Sequence, residues 1–227
     1  MKTNSMTDKP RRIVTRADID QATGELVLPT GTIVTPSAME LADRKGVVIT
    51  FADRPSEPEA KTCDPVTRPR DDIAAVIDHT NLSPGATRDD IVILCREAVE
   101  YGFATVCVAP NRTAAAVAEL TESTIHVCGV AGFPMGANTT ETKAAEAAQC
   151  IAAGAREIDM VAATGLLRDG DWLAYRDDIA AVRQAIGPDV VLKVIIETNL
   201  LDESDLVRAA ILAAEAGACY VKTATGV

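Results

Sequence analysis

The sequence predicts an α/β protein of the (β/α)8 barrel type, with residues 71–227 supplying six of the eight strands behind a small N-terminal extension. Three observations predict it. From Ile73 onward, short apolar runs alternate with capped amphipathic helices. The segments "EAVEYGFATVCV", "QCIAAGAREIDMV" and "LAAEAGACYVKT" each pass from a helix end through glycine into a strand. Such repeated units require parallel strands joined by right-handed crossovers. Polar residues also recur towards the ends of the strand runs: Asp78, Asp159, Lys193 with Glu197, and Lys222. A barrel gathers those ends at one mouth, where catalytic groups sit. The alternative is a doubly wound sheet, but no G-x-G-x-x-G follows the first strand. "GVAGFPMG" has the wrong spacing and reads as a tight loop around Pro134.

In the first seventy residues, "TPSAMELADRKG" is a short helix with Thr35 as cap, Pro36 at its first position and Gly46 closing it. "VVITF" is a strand. "ADRPSEPEAKTCDPVTRPR", rich in proline and charge, is a linker. So few apolar residues predict a weak core for this part alone. Beyond it, the expected strands are "IAAVID", "ATVCVA", "IHVCGVAG", "EIDMVA", "VVLKVIIET" and "CYVKTAT". Between them, Thr87 caps "RDDIVILCREAVEYG", and Asp90 completes a capping box. Thr139 or Thr140 opens "ETKAAEAAQCIAAG". Asp171 opens the helix ended by Gly187 and Pro188, and Asp202 opens the one ended by Gly217.

The formal net charge of −11 argues against nucleic acid or an anionic membrane as partner. No apolar run reaches the roughly 18 residues of a membrane span. "MKTNSMTDKPRR" has no apolar stretch behind its charges, as a signal peptide would, so the cytoplasm is the expected compartment. The six cysteines, in mostly apolar contexts and without C-x-x-C spacing, do not predict a disulfide framework.

The residue that asks for an explanation is Lys193, in the middle of the apolar run "VLKVIIET". A buried ammonium is costly unless it is paired or has a chemical task. Strand alternation puts Lys193, Ile195 and Glu197 on one face. If that face is the barrel interior, desolvation and a second cation, Lys222, would lower its pKa and free a nucleophilic amine for imine formation. The plainer reading is a structural lysine paired with Glu197 or another carboxylate. Asp159, in "EIDMV", is a candidate proton-transfer acid or an ion-pair partner. Asp78, in "IDHTNL", either orients the others or caps the following loop. The two histidines, His79 and His126, lack metal-site spacing, and His126 reads as a core residue. No metal or cofactor is expected.

Six motifs in order, "IDHTNL", "TVCVAP", "GFPMGANTTETKAAEA", "EIDMV", "LKVIIET" and "YVKTATG", resemble the deoxyribose-phosphate aldolase family across 71–227. The resemblance implies a class I aldolase on a (β/α)8 barrel. It implies reversible cleavage of 2-deoxy-D-ribose 5-phosphate to glyceraldehyde 3-phosphate and acetaldehyde. It also implies Lys193 as the Schiff-base lysine, Lys222 as the lysine that depresses its pKa, and Asp159 as the proton shuttle. Asp78, Cys107 and Thr223 would line the substrate pocket. Sugar phosphate and aldehydes are the implied partners, with a homodimer as the possible assembly.

The chain departs from the family's pattern in two places. Ala162, Ala163 and Thr164 follow "EIDMV", where the family has an asparagine. The sequence ends at Val227, after the sixth strand, whereas a barrel takes roughly 200 residues or more. The expectation is therefore a C-terminally incomplete barrel that discriminates poorly between phosphorylated and free deoxyribose. A catalytically impaired fragment, a barrel-derived association protein and another Schiff-base aldolase are the competing readings. "GTIVTPSAMELADRKGVVI" resembles short modules attached to bacterial microcompartment enzymes; a solvated extension is the plainer reading.

Overall fold

A computed structural model of the chain describes residues 13–29, 32–52 and 73–226. Two compact units divide the chain: residues 1–60 with 202–208, and residues 61–201 with 209–227. The proline-rich linker falls almost wholly outside the described residues.

The first unit runs β1 (Ile13–Val14), α1 (Arg16–Asp20), β2 (Glu25–Leu28), β3 (Ile33–Val34), α2 (Pro36–Lys45) and β4 (Val48–Phe51). β1 pairs with β3 and β2 with β4, both in parallel. As expected, the Thr35 hydroxyl accepts the Ala38 amide at 3.3 Å, and Gly46 closes α2 in the left-handed region at φ 66°. Lys45 ties the end of α2 to the end of α1, donating to the Asp20 carbonyl at 2.6 Å. Val14, Ile19, Leu28, Ala38, Ala42 and Val47 are buried together. These six residues form the buried cluster of this part.

The second unit holds six strands: β5 (Asp78–Asn81), β6 (Thr105–Val108), β7 (His126–Ala131), β8 (Glu157–Val161), β9 (Val191–Ile195) and β10 (Tyr220–Lys222). They pair in parallel in sequence order, β5 to β10. The helices are α3 (Arg88–Tyr101), α4 (Thr113–Glu119), α5 (Thr140–Ala152), α6 (Thr164–Arg168) and α7 (Trp172–Ile186), with the part of α8 (Glu203–Glu215) from Ala209 onward. "IAAVID" is the one misread strand. Ala74–Val76 form a 3-10 turn, and pairing begins only at Asp78. Alanine has little strand preference to resist such a turn.

The sheet curls. Neighbouring strands lie about 4.8 Å apart, so β5 and β10 would be about 24 Å apart if it were flat. Yet Asp78 on β5 meets Lys222 on β10 at 3.3 Å. Strand alternation then sorts the side chains. Ile158, Met160, Leu192 and Val194 are fully buried on the outer, helix-covered face. Glu157, Asp159 and Lys193 point the other way, into the curl. α5 comes so close to β7 that a Cβ at Gly129 would lie 2.6 Å from the Cys150 sulfur, which only glycine avoids. The capping box of Thr87 and Asp90 starts α3, and the Asp171 carboxylate caps α7 through the Ala174 amide. Cys95, Cys107, Cys128 and Cys150 are buried free thiols, whereas Cys219 is disulfide-bonded. Among the described residues, no helix is long and apolar enough to cross a membrane.

Candidate active site

The site is built by strand register. Lys193 stands directly beside Asp159 of β8, so two adjacent parallel strands present their side chains to the same space. Glu157 lies two residues before Asp159 and shares its face. The curl adds Asp78 from β5 and Lys222 from β10. The Lys193 ammonium sits 2.7 Å from Glu157 Oε2, 2.8 Å from Asp78 Oδ2 and 3.3 Å from Asp159 Oδ1. Lys222 pairs closely with Asp159 Oδ2 and reaches Asp78 Oδ2 at 3.3 Å. The Thr105 hydroxyl donates to Asp78 Oδ1 at 2.8 Å, and the Cys128 thiol donates to Asp159 Oδ1 at 3.2 Å. Three carboxylates thus face two ammonium groups. A cavity of about 270 Å³ opens onto Lys193, lined by Asp78, Thr105, Glu157, Tyr220 and Lys222 among others.

That count of charges reverses one expectation. Burial disfavours the Lys193 ammonium, but the carboxylates facing it, Asp159, Glu157 and Asp78, outweigh burial. Its pKa is raised, not lowered. Lys222 is raised in the same way: burial opposes its charge, and Asp159 and Asp78 prevail over repulsion from Lys193. Burial would raise Asp78, yet Lys193, Thr105 and Lys222 together hold it below the usual carboxylate value. Burial, Cys107 and the Asp159 charge push the Cys128 thiol up. At rest Lys193 is therefore an ammonium, and it must hand a proton to a neighbouring carboxylate before it can attack a carbonyl. The arrangement can form an imine and move protons around it.

A model described as the DeoC/LacD family aldolase matches residues 73–227. The chain belongs to this aldolase family. It is 52% identical over 150 residues to the deoxyribose-phosphate aldolase of Brevibacillus brevis, covering 66% of this chain and 67% of that protein. It is 48% identical over 154 residues to that of Bacillus mycoides, covering 68% and 69%. Among solved structures, the tetrameric deoxyribose phosphate aldolase from Aeropyrum pernix superposes with a TM-score of 0.63. The identity there is 36%, over 68% of this chain and 64% of that one. The chain spans about two thirds of the length of these relatives. The six strands are accordingly part of a barrel fold, as the sequence predicted.

Of the expected site residues, Lys193, Asp159, Lys222 and Asp78 are brought together. The Asp78 carboxylate accepts from Lys193, Lys222 and the Thr105 hydroxyl. Cys107 is buried one strand away, paired in register with Cys128. Cys107, Cys128 and Asp159 place one side-chain polar atom each within 4.8 Å of one another. Thr223 is exposed and is held through its backbone carbonyl by the Thr198 amide at 2.8 Å. Glu197 is not the partner of Lys193. It adopts a left-handed φ of 49°, uncommon for a non-glycine residue, and accepts the Thr225 amide. His126, expected in the core, lies at the start of β7 with its side chain 59% exposed. Sequence reasoning missed Glu157, Thr105 and Cys128 as members of the site.

Proposed function

We propose that the chain is a Schiff-base aldolase that reversibly cleaves 2-deoxy-D-ribose 5-phosphate to D-glyceraldehyde 3-phosphate and acetaldehyde. The observation that carries this reading is the buried Lys193 amine, in contact with Asp78, Glu157 and Asp159 and facing Lys222 across Asp159. Lys193 gives a proton to a neighbouring carboxylate, and its free amine adds to the C1 aldehyde of the open-chain sugar. Loss of water leaves a protonated imine. The C2–C3 bond then breaks. Its electron pair moves into the enamine while a carboxylate takes the C3 hydroxyl proton, releasing glyceraldehyde 3-phosphate. Asp159, held by Lys222, returns a proton to C2. Water hydrolyses the resulting imine and frees acetaldehyde. In this scheme Lys193 is the nucleophile, Asp159 the proton carrier, and Asp78 and Lys222 hold the two in place, with Cys107 and Thr223 bordering the substrate.

The test is mass spectrometry after incubation with acetaldehyde and borohydride, followed by peptide mapping. A reduced two-carbon adduct on Lys193 is expected, and Lys193→Leu should abolish it. A folded chain whose Lys193 stays unmodified at every pH would overturn the assignment.

A further inference from the structure

Glu157 is the closest contact of the Lys193 ammonium, and nothing in the aldol chemistry above requires it as a third carboxylate. It lies at the N-terminal end of β8 and is itself buried, 9% exposed. Its two oxygens face opposite ways. Oε2 is 2.7 Å from Lys193 Nζ, while Oε1 is 3.9 Å from Nδ1 of His126, whose ring is largely in solvent. Asp78 and Asp159 are both shared between Lys193 and Lys222. Among the described ion pairs, Glu157 is bonded directly to Lys193 and not to Lys222.

From this geometry we infer that Glu157 is a positioning residue that anchors Lys193 in its resting state and sets the pH at which its amine becomes free to form an imine. The inference rests on the Schiff-base reading of Lys193. The other charged or titratable groups facing Lys193 are Asp78 from β5, Cys128 from β7, Asp159 from β8 and, across the two aspartates, Lys222 from β10. In Glu157→Gln all of them remain. What is lost is one negative charge in direct contact with the ammonium, so the ammonium is less stabilised and its pKa falls. An opposite charge at such a distance is worth about 1–3 pKa units. The direction agrees with the upward influence of Glu157 on Lys193.

The experiment measures borohydride trapping of acetaldehyde on Lys193 as a function of pH, in the wild-type chain, Glu157→Gln and Glu157→Asp. His126→Asn is the control, because its distance and exposure leave it a screened influence. The trapping midpoint should move down by about one pH unit or more in Glu157→Gln, which is roughly tenfold more adduct at a fixed pH below the midpoint. Glu157→Asp keeps the charge on a shorter arm and should move less, in the same direction. It also gives the answer if the glutamine variant does not fold. His126→Asn should stay near wild type. A wild-type adduct with an unmoved midpoint in the folded Glu157 variants overturns the inference and leaves the aldolase reading standing. Absence of any wild-type adduct overturns that reading, and the inference with it.

Discussion

Two lysines are buried in the same barrel unit, and the charges around them differ in number. Lys143, on α5, meets Asp178 of α7 at 2.8 Å, with the two side chains 0% and 2% exposed. The second oxygen of Asp178 takes the Thr140 hydroxyl at 2.8 Å. One cation faces one anion, and both are hydrogen-bonded. Around Lys193 three carboxylates crowd two ammonium groups beside a cavity. A balanced buried pair fixes one helix against another and has no acceptor to spare. An unbalanced cluster always has a carboxylate able to take a proton, which imine chemistry needs. Burial alone did not distinguish the two lysines; the surplus of acid did.

The comparison can be broken most decisively at Lys143. Lys143→Ala strands the Asp178 charge in the interior and should cost about 3–5 kcal/mol in urea-induced unfolding. Replacing both partners by apolar residues of similar volume, Lys143→Met with Asp178→Leu, should be near neutral, because the desolvation cost disappears with the charges. Lys193→Leu should cost less than Lys143→Ala, since Glu157 and Asp78 can take up a proton in place of the lost cation. If Lys143→Ala unfolds no more easily than Lys193→Leu, the distinction between a structural and a chemical lysine fails.

The sequence made Lys193, Asp159, Lys222 and Asp78 visible because each is polar in or beside an apolar run, and such a residue in a buried strand calls for a reason. The alternation rule that paired Lys193 with Ile195 also placed Glu157 beside Asp159. Glu157 was missed because it opens its strand run, where an acid reads as solvated. Lys143 left no trace at all: in "ETKAAEA" it looks like any exposed helical lysine, and packing against Gly132 and Asp178 of α7 buries it. The direction of the Lys193 shift was misjudged for a related reason. Lys222 could be counted from the chain, but the carboxylates that outweigh it, Asp159, Glu157 and Asp78, are brought to Lys193 by strand register and by the curl that spans 115 residues to Asp78. The first unit was partly legible for another cause. α2 carries its cap, proline and glycine, whereas β1 and β3 have two residues each, too few to show a period.

A smaller effect sharpens the comparison from the acid side. The folded pKa of Asp78 lies below its ordinary value of 3.8, because Lys193, Thr105 and Lys222 outweigh its burial. A depressed carboxylate binds protons more weakly folded than unfolded. Its contribution to stability is present above pH 3.8 and is lost as the pH falls through the lowered folded value. Asp78→Asn should remove that component, so the difference in stability between wild type and variant should shrink as the pH drops below 3.8. A difference that stays constant over that range would mean that Asp78 is not held down by the lysines. Chemical unfolding followed at a series of acidic pH values measures it.

The smallest effect lies beside the balanced pair and tests how complete that balance is. Tyr175, three residues before Asp178 on α7, is 1% exposed, and its hydroxyl has no hydrogen-bond partner among the described residues. Burial and the Asp178 charge both push its pKa up, so the hydroxyl stays protonated and neutral. A buried hydroxyl without a partner costs about 1–3 kcal/mol, while the ring that carries it is well packed. Tyr175→Phe keeps the ring and removes the hydroxyl. It should raise stability by about 1 kcal/mol, seen as a higher urea midpoint with an unchanged slope. A loss of stability instead would mean that the hydroxyl is satisfied by water bridging towards Asp178. The Lys143–Asp178 pair would then belong to a wider polar network, closer in kind to the cluster around Lys193.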